Sequence, residues 1–393
     1  MGILIPLFLV IVCCVIIWRA SDSFAAASDY IGRNLSEGVR GATINAIGSS
    51  LPEVFTSFFF LFYLKDVDGF SGGIGTTAGS AIFNGMIIPA FVILVVILTG
   101  LARNISVSRK VLYRDGASLI LAEFLFIIII SGKSLHWWHG VLLMVIYFAY
   151  LFYMLKSMKK PGFNHPSHHE PEFRIHEPQK SSWYYLFTFD FEPLFIGKNK
   201  ISDKTAWPLL IFSTFSIAFI CLILVQACEW IGSDVYTIPY LGTFEGLNIP
   251  IMFVAIILAS AASSVPDTII SMNDARRGNY DDAISNALGS NIFDICFALG
   301  FPLFIYTLIN GPIVMHPETI EQSAELRILL LLLTILAFVV YVYRKKINSV
   351  QAYMLLGIYS VFTLYVIGRG ANHPLANEVA VYLRGIVSFL NLL

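Results

Sequence analysis

The chain is short of charge and of cysteine. Only 13% of its 393 residues are charged, about half the fraction usual in soluble proteins. Its five cysteines (Cys13, Cys14, Cys221, Cys228, Cys296) lie in or beside apolar segments, without the spacing of a disulfide framework or a zinc site. No basic patch with interleaved aromatic residues occurs, so nucleic acid is not expected as a partner.

Apolar sequence is abundant instead: 57% of the residues are hydrophobic and the mean hydropathy is +0.74. Apolar runs of roughly 20 residues, the length that crosses a bilayer, recur from end to end. We predict an all-α integral membrane protein with about ten transmembrane helices. The predicted span centres are Val10, Pro52, Met86, Phe124, Ile146, Ile217, Ala262, Phe293, Leu333 and Tyr359. A last apolar piece at 379–392 is short for a span and is expected at the interface or against the bundle.

A long polar segment separates the fifth span from the sixth. We therefore predict a first five-helix repeat at 1–155, a linker at 156–206, a second five-helix repeat at 207–370 and a C-terminal segment at 371–393. The linker is rich in proline and mixed charge, which favours a solvated flexible tether. Its histidines lack a fixed metal-binding spacing, and they are His165, His168, His169 and His176.

The distribution of basic residues predicts the orientation. When the loops are assigned alternately to two sides, most of the 25 Lys and Arg residues fall on the side of the linker. Loops rich in Lys and Arg stay in the cytoplasm. The prediction is a multi-pass protein of the cell membrane with a cytoplasmic linker and both termini external. The first half then starts outside and the second starts inside, so the halves have opposite topology.

Two short motifs occur once in each half. GSSLPE at 48–53 matches ASSVPD at 262–267, and GSAIFN at 79–84 matches GSNIFD at 289–294. The two pairs keep the same order and nearly the same spacing, in spans two, three, seven and eight. A duplication in halves of opposite topology is the inverted repeat of many secondary transporters.

The first motif has the chemistry of a cation site. Pro52 and Pro266 interrupt their helices because proline lacks an N–H and clashes with the preceding turn. Backbone carbonyls freed near the breaks, at 46–48 and 260–262, are costly in lipid unless they face water or an ion. The hydroxyl oxygens beside them belong to Ser49, Ser50, Ser263 and Ser264.

Three acidic residues, Glu53, Asp267 and Asp294, are predicted near one midplane. Spans two, three, seven and eight carry no central Lys or Arg, so these carboxylates require cations or protons as partners. Calcium takes about 6–8 oxygen ligands, and sodium accepts the same hard oxygens. The absence of Cys and His from this set argues against zinc or copper.

Four stretches of the sequence resemble the cation/calcium exchanger superfamily, specifically its sodium/calcium branches. They are GATINAIGSSLPEVFTS and GTTAGSAIFN in the first half, and ASSVPD and ARRGNYDDAISNALGSNIFD in the second half. The resemblance implies that calcium binds centrally at Glu53 and Asp267. It implies alternating access, in which spans one and six slide against the bundle and the two ions compete for overlapping ligands. The remaining ligands that it implies are the side chains of Ser50, Ser80, Ser264, Ser290, Asn84 and Asp294, with backbone at Ala46 and Ser260.

The aspartates at 267 and 294 and the alanine at 81 resemble the residue pattern of the potassium-dependent branch. One calcium plus one potassium would balance three carboxylates, as would three sodium ions. A proton on Asp294 is the other way to balance the third charge. The resemblance slightly favours it, because microbial exchangers that do not depend on potassium also resemble GSNIFD. The expected function is therefore sodium/calcium antiport, with potassium dependence open. Calcium, sodium and potassium are cargo in this interpretation, and no resident cofactor or catalytic residue is expected.

Other classes remain as alternatives. A proton-coupled exchanger on the same fold would use Glu123 in span four as its proton carrier, but a hydrogen bond from Glu123 to a neighbouring span is the favoured interpretation. An intramembrane aspartyl protease would use Asp267 and Asp294, but such a dyad explains neither Glu53 nor the duplication. A channel is the third class, and broken helices in inverted repeats favour alternating access over it.

Overall fold

The computed structural model describes residues 2–33, 46–65, 70–157, 181–197, 201–344 and 346–389. These residues form an all-α bundle, which confirms the predicted fold class. The helices are α1 (Leu4–Ile31), α2 (Ala46–Ser49), α3 (Leu51–Phe62), α4 (Ser71–Leu98), α5 (Arg109–Ile129), α6 (Trp137–Ser157), α7 (Ser182–Phe187), α8 (Glu192–Phe195), α9 (Asp203–Gly232), α10 (Ile251–Val254), α11 (Ser260–Ser263), α12 (Val265–Arg276), α13 (Tyr280–Phe293), α14 (Leu299–Asn310), α15 (Pro317–Val342), α16 (Ser349–Gly370) and α17 (Pro374–Phe389). Two π-helical turns complete these helices, Ala255–Ala259 between α10 and α11 and Asp294–Ala298 between α13 and α14.

All ten predicted span centres fall within helical segments. Within the described ranges, seven helices are long and apolar enough to cross a membrane, and the pair Ile251–Ser263 and Val265–Arg276, bent by 41°, makes up to eight. The helical stretch Ala46–Phe62 is apolar but shorter, and α5 carries charged residues along its length. The protein is therefore a multi-pass membrane protein, and ten spans stays a prediction.

Short pairings tie loops from the two halves together. β1 (Ser134–Leu135), before α6, pairs antiparallel with β4 (Ile313–Val314), before α15. Ile105, after α4, forms an isolated bridge with Ile347, before α16. Each pairing joins two loops that the alternating assignment puts on the same side. A separate hairpin of β2 (Val235–Ile238) and β3 (Gly242–Glu245) follows α9.

Two hydrophobic clusters make up most of the interior. The larger joins α4, α5, α6, α13, α14, α15 and α16. The second is built mainly from α1 and α9, which pack along each other and border the broken helices. The C-terminal helix α17 packs against α15 and α16, which agrees with the expectation of a bundle-packed terminal segment; residues 390–393 lie outside the described ranges.

Both predicted helix breaks are present. Ser50 separates α2 from α3, and Ser264 separates α11 from α12. Pro52 and Pro266 each occupy the first turn of the helix that follows, where a missing N–H leaves no intrahelical bond unmade. The two following helices have 12 residues each. The matching geometry supports the interpretation of the two motifs as one repeated unit.

Candidate ion-binding site

Three acidic side chains from both halves of the chain meet in the interior. Glu53 lies in the first turn of α3, Asp267 in the first turn of α12, and Asp294 at the start of the second π-helical turn. All three are fully buried. One ligand oxygen from each lies within 4.8 Å of the others, and no second such group of Asp, Glu, His and Cys occurs among the described residues. We call this group the carboxylate cage.

Local sequence explains how the acids reach this position. The breaks at Ser50 and Ser264 start two new helices inside the bundle, and Glu53 and Asp267 stand in their first turns. The positive end of the helix dipole favours a carboxylate there. Gly79 lets α4 pass close to the other half, since a Cβ at this residue would stand 2.3 Å from the carbonyl oxygen of Ile256.

Ser80 on α4 is the polar centre of the cage. Its hydroxyl oxygen lies 3.0 Å from Glu53 Oε1, 2.9 Å from Asp294 Oδ2 and 2.7 Å from Ser264 Oγ. A hydroxyl has one hydrogen, so Ser80 can donate to only one of these oxygens at a time. Ser264, whose oxygen is 3.3 Å from Glu53 Oε1, supplies one more donor. The hydroxyls alone therefore leave much of the carboxylate charge uncompensated.

Asn84 and Ser290 complete the contacts. The Asn84 amide donates to Asp267 Oδ2 at 3.0 Å and lies 3.3 Å from Asp294 Oδ2. Ser290 donates to Asp267 Oδ1 at 2.6 Å. All the residues of the cage and its contacts are fully buried, so these bonds form away from bulk water.

Several oxygen atoms of the cage and of the side chains that contact it have no hydrogen-bond donor. Glu53 Oε2, Asn84 Oδ1 and Asp294 Oδ1 are buried and have no hydrogen-bond partner in the part of the chain that the structure describes. No ion pair among the described residues involves the three acids. A buried unpaired charge costs several kcal/mol, unless the group that carries it becomes neutral. A cluster of uncompensated hard oxygens has the donor chemistry that calcium and sodium require.

The remaining predicted ligands lie at the helix breaks. Ser49 donates to the carbonyl of Ala46 at 3.4 Å, and Ser263 donates to that of Ser260 at 3.1 Å. The same carbonyls accept the backbone N–H groups of Ser50 and Ser264. The sequence predicted that these two carbonyls would be free. They are not, because one backbone hydrogen bond spans each break. A carbonyl oxygen has two lone pairs, and a role for these residues as ligands stays a prediction.

The sequence motifs did not single out two asparagines of α13 that contact the helices around the cage. Asn286 donates to the carbonyl of Asp267 at 3.3 Å and to Ser271 at 2.9 Å, and Asn291 donates to the carbonyl of Ala81 at 2.9 Å. The available signal was spacing, because Asn286 and Ser290 stand four residues apart and share a helix face. These bonds hold α13 against both α12 and α4.

Glu123 does not join the cage. It is fully buried on α5 and accepts a hydrogen bond from Thr334 of α15 at 2.7 Å. This confirms the interpretation of an acid hydrogen-bonded to a neighbouring helix. The four linker histidines lie outside the described residues, as do residues 41–45 at the start of the stretch GATINAIGSSLPEVFTS.

The comparisons with known proteins agree with this geometry. The family model described as "Sodium/calcium exchanger protein" matches residues 5–156 and 205–368. Sodium/potassium/calcium exchanger 5 of Homo sapiens is 27% identical over 87% of this chain and 78% of that protein. Sodium/potassium/calcium exchanger 2 of Gallus gallus is 28% identical over 48% of this chain, and the match spans only 28% of that protein.

Among solved structures, the sodium-calcium exchanger NCX_Mj is similar in fold. Its structure from a crystal soaked with sodium and calcium has a TM-score of 0.55 and 20% sequence identity, and the match covers 91% of this chain and 97% of that one. At this identity the likeness establishes the fold alone. The family model matches well over half of the chain, and the chain belongs to the sodium/calcium exchanger protein family.

Proposed function

We propose that the protein exchanges sodium for calcium across a membrane, with both ions held at the carboxylate cage. The observation that carries this proposal is the meeting of Glu53, Asp267 and Asp294 within 4.8 Å, fully buried. Three carboxylates so close together need positive charge to be stable in a bundle interior. As a member of an exchanger family, the protein is a transporter rather than an enzyme, and the aspartyl protease alternative has no support.

The shared ligands supply the coupling. Ser80 contacts both Glu53 and Asp294, and Asn84 contacts both Asp267 and Asp294. A calcium ion and a set of sodium ions that use these same oxygens cannot occupy the cage together. Each ion set therefore displaces the other, which is the requirement for antiport. Three sodium ions, or calcium with one further positive charge, would each balance the three acids.

Alternating access is supported by how the cage is built. The cage is formed at two broken helices and at a π-helical turn, so no single continuous helix carries its residues. The pair of α1 and α9 packs against both broken segments and belongs to a separate hydrophobic cluster. Packed helices that slide as a unit are a common mode of conformational change. We propose that this pair moves across the cage and opens it to one side at a time.

Potassium as a second cargo is the other candidate. Asp294 stands where the first half has the neutral Asn84, so the cage has one negative charge more than a symmetric pair of motifs would give. The relatives named above are called sodium/potassium/calcium exchangers. A potassium ion bound beside calcium would balance this third carboxylate.

We also propose the orientation that the basic residues predict, with the linker cytoplasmic and both termini external, in the cell membrane. The pairings β1 with β4 and Ile105 with Ile347 join loops that this assignment puts together. They support the alternation of the helices.

The proposed competition can be tested on purified protein in detergent. A ligand that binds the folded state raises the unfolding temperature in a concentration-dependent way. Calcium should stabilise the protein, and the calcium concentration for half of this effect should rise as sodium chloride replaces choline chloride at constant ionic strength. An unchanged calcium dependence in saturating sodium would contradict a shared cage.

A further inference from the structure

A tyrosine outside the cage contacts the backbone of the helix that carries Ser80 and Asn84. Tyr341 of α15 is buried, and its hydroxyl donates to the carbonyl oxygen of Gly85 on α4. Pro89 lies inside α4, four residues after Gly85. Because proline has no N–H, the Gly85 carbonyl lacks its usual helical donor. Tyr341 supplies the donor that Pro89 removes.

The same turn of α4 is held from a second side. Asn291 of α13 donates to the carbonyl of Ala81 at 2.9 Å. The carbonyls of Ala81 and Gly85 flank Asn84, and each accepts a side-chain bond from a helix of the other half. We call residues 81–85 the Asn84 turn. Its backbone is bound on two sides by groups that belong neither to α4 nor to the cage.

The orientation of the Asn84 turn decides where the Asn84 amide points. Its nitrogen donates to Asp267 at 3.0 Å and lies 3.3 Å from Asp294 Oδ2, and its oxygen is buried without a partner in the described residues. A rotation of this turn would move donor and acceptor together. A small cavity bordered by Gly85, Thr334 and Tyr341 lies on the α15 side of α4, so the turn has room to shift if the bond is lost.

We propose that Tyr341 is a positioning residue of the ion site, whose hydroxyl fixes the Asn84 turn and thereby sets the affinity of the cage for calcium. The inference rests on the proposed sodium/calcium exchange. Tyr341 acts through Gly85 and Asn84. Groups that orient a metal ligand from the outer shell commonly change metal affinity when they are removed.

Tyr341→Phe is the direct test, because it removes one oxygen and keeps the ring. In proteoliposomes with a sodium gradient, the calcium concentration for half-maximal uptake should rise about tenfold or more, the range typical of outer-shell partners of a metal ligand. The maximal rate at saturating calcium should change little. An unchanged half-maximal concentration would overturn the proposal.

Tyr147→Phe is the matched control. Tyr147 is also buried, its ring packs on Phe293 next to Asp294 with centroids 5.1 Å apart, and its hydroxyl has no hydrogen-bond partner in the described part of the chain. This control should leave the calcium dependence unchanged. Equal shifts in both variants would indicate general loosening around the cage and would contradict a specific role of Tyr341.

Pro89→Ala tests the mechanism, since it restores an N–H that can bond to the Gly85 carbonyl. In this background Tyr341→Phe should have a much smaller effect, which a double-mutant cycle measures. Additive effects would overturn the proposal. If Tyr341→Phe alone does not fold, the double variant should recover monodisperse protein with a calcium dependence near that of Pro89→Ala. Failure to recover would likewise contradict it.

Calcium-dependent thermal stabilisation of the same purified variants separates the two proposals. A wild-type protein that calcium does not stabilise would refute the proposed function. A wild-type protein that calcium stabilises, with the same calcium dependence in Tyr341→Phe, would refute the role of Tyr341 alone. The expected result is stabilisation of both, with the variant requiring more calcium.

Discussion

Asn84 on α4 donates a hydrogen bond to Asp267 on α12, with 3.0 Å between the amide nitrogen and the carboxylate oxygen. The two residues come from opposite halves of the chain and both are fully buried. Ser80 makes the corresponding link from α4 to Asp294 at 2.9 Å. Neither half alone therefore contains a complete cage, and any change in how the halves pack alters these contacts. In the proposed exchange, this dependence couples ion binding to conformational change.

Removing either central charge should nearly abolish calcium transport. Glu53→Gln or Asp267→Asn takes a buried charge from bound calcium, a loss of about 2–5 kcal/mol when one partner of a buried charge pair is removed. Sodium-driven calcium uptake in proteoliposomes measures the effect. Glu378→Gln, a change at an exposed residue of α17, is the control and should transport normally. Wild-type uptake by well-folded Glu53→Gln would remove Glu53 from the site.

Asp294→Asn should remove the response to potassium. Potassium as a cargo would raise calcium exchange in the wild type, because its positive charge balances the third carboxylate, whereas a proton on Asp294, which the sequence slightly favours, would leave exchange independent of potassium. The variant has the amide that the first half has at Asn84, so potassium should have little effect on it. A potassium titration of calcium flux, with wild type and variant side by side, makes the comparison. No potassium response in the wild type, together with loss of pH sensitivity in the variant, would instead indicate a proton on Asp294.

Single cysteines should label according to the predicted orientation. Asn104, after α4, and Tyr240, in the hairpin after α9, are both exposed. In intact cells an impermeant thiol reagent should label Tyr240→Cys and spare Asn104→Cys. The parent protein sets the baseline, because four of its five cysteines are buried and Cys14 is half-buried. The reverse labelling pattern would show that the assignment of inside and outside is wrong.

Glu123→Gln should leave exchange nearly unchanged. Glu123 is buried beside Thr334 and has no cationic partner in the described ranges, so a neutral amide of the same shape replaces it with little cost. Calcium uptake driven by sodium, measured across a series of pH values, provides the comparison with wild type. A variant that loses uptake, or whose dependence on pH disappears, would favour Glu123 as a proton carrier.

The repeated motifs predicted the position of the site because they combine local and global signals. A proline inside an apolar run disfavours an unbroken helix, as at Pro52 and Pro266, and a carboxylate beside it is costly in lipid. These two facts predicted that Glu53 and Asp267 would meet in the interior, and the structure brings them together with Asp294. Their role as ion ligands stays a prediction.

Other features depend on tertiary packing that no local pattern contains. The π-helical turns at Ala255–Ala259 and Asp294–Ala298 contain no proline or glycine that would mark them in the sequence. The bond from Tyr341 to Gly85 joins residues 256 positions apart. Pro89 removes the helical donor of the Gly85 carbonyl, but no local pattern shows which helix supplies its replacement. The sequence predicted free carbonyls at Ala46 and Ser260, because proline interrupts a helix. It does not show the backbone bonds that Ser50 and Ser264 donate to these carbonyls at the breaks.

Calcium flux in proteoliposomes, with sodium, potassium and proton gradients imposed separately, tests the central claim most directly. An outward sodium gradient should drive calcium uptake, and collapse of that gradient with a sodium ionophore should stop it. A proton gradient alone should drive no uptake, and liposomes that contain the Glu53→Gln protein provide the baseline. Calcium uptake that follows the proton gradient and ignores sodium would contradict sodium/calcium exchange at this cage.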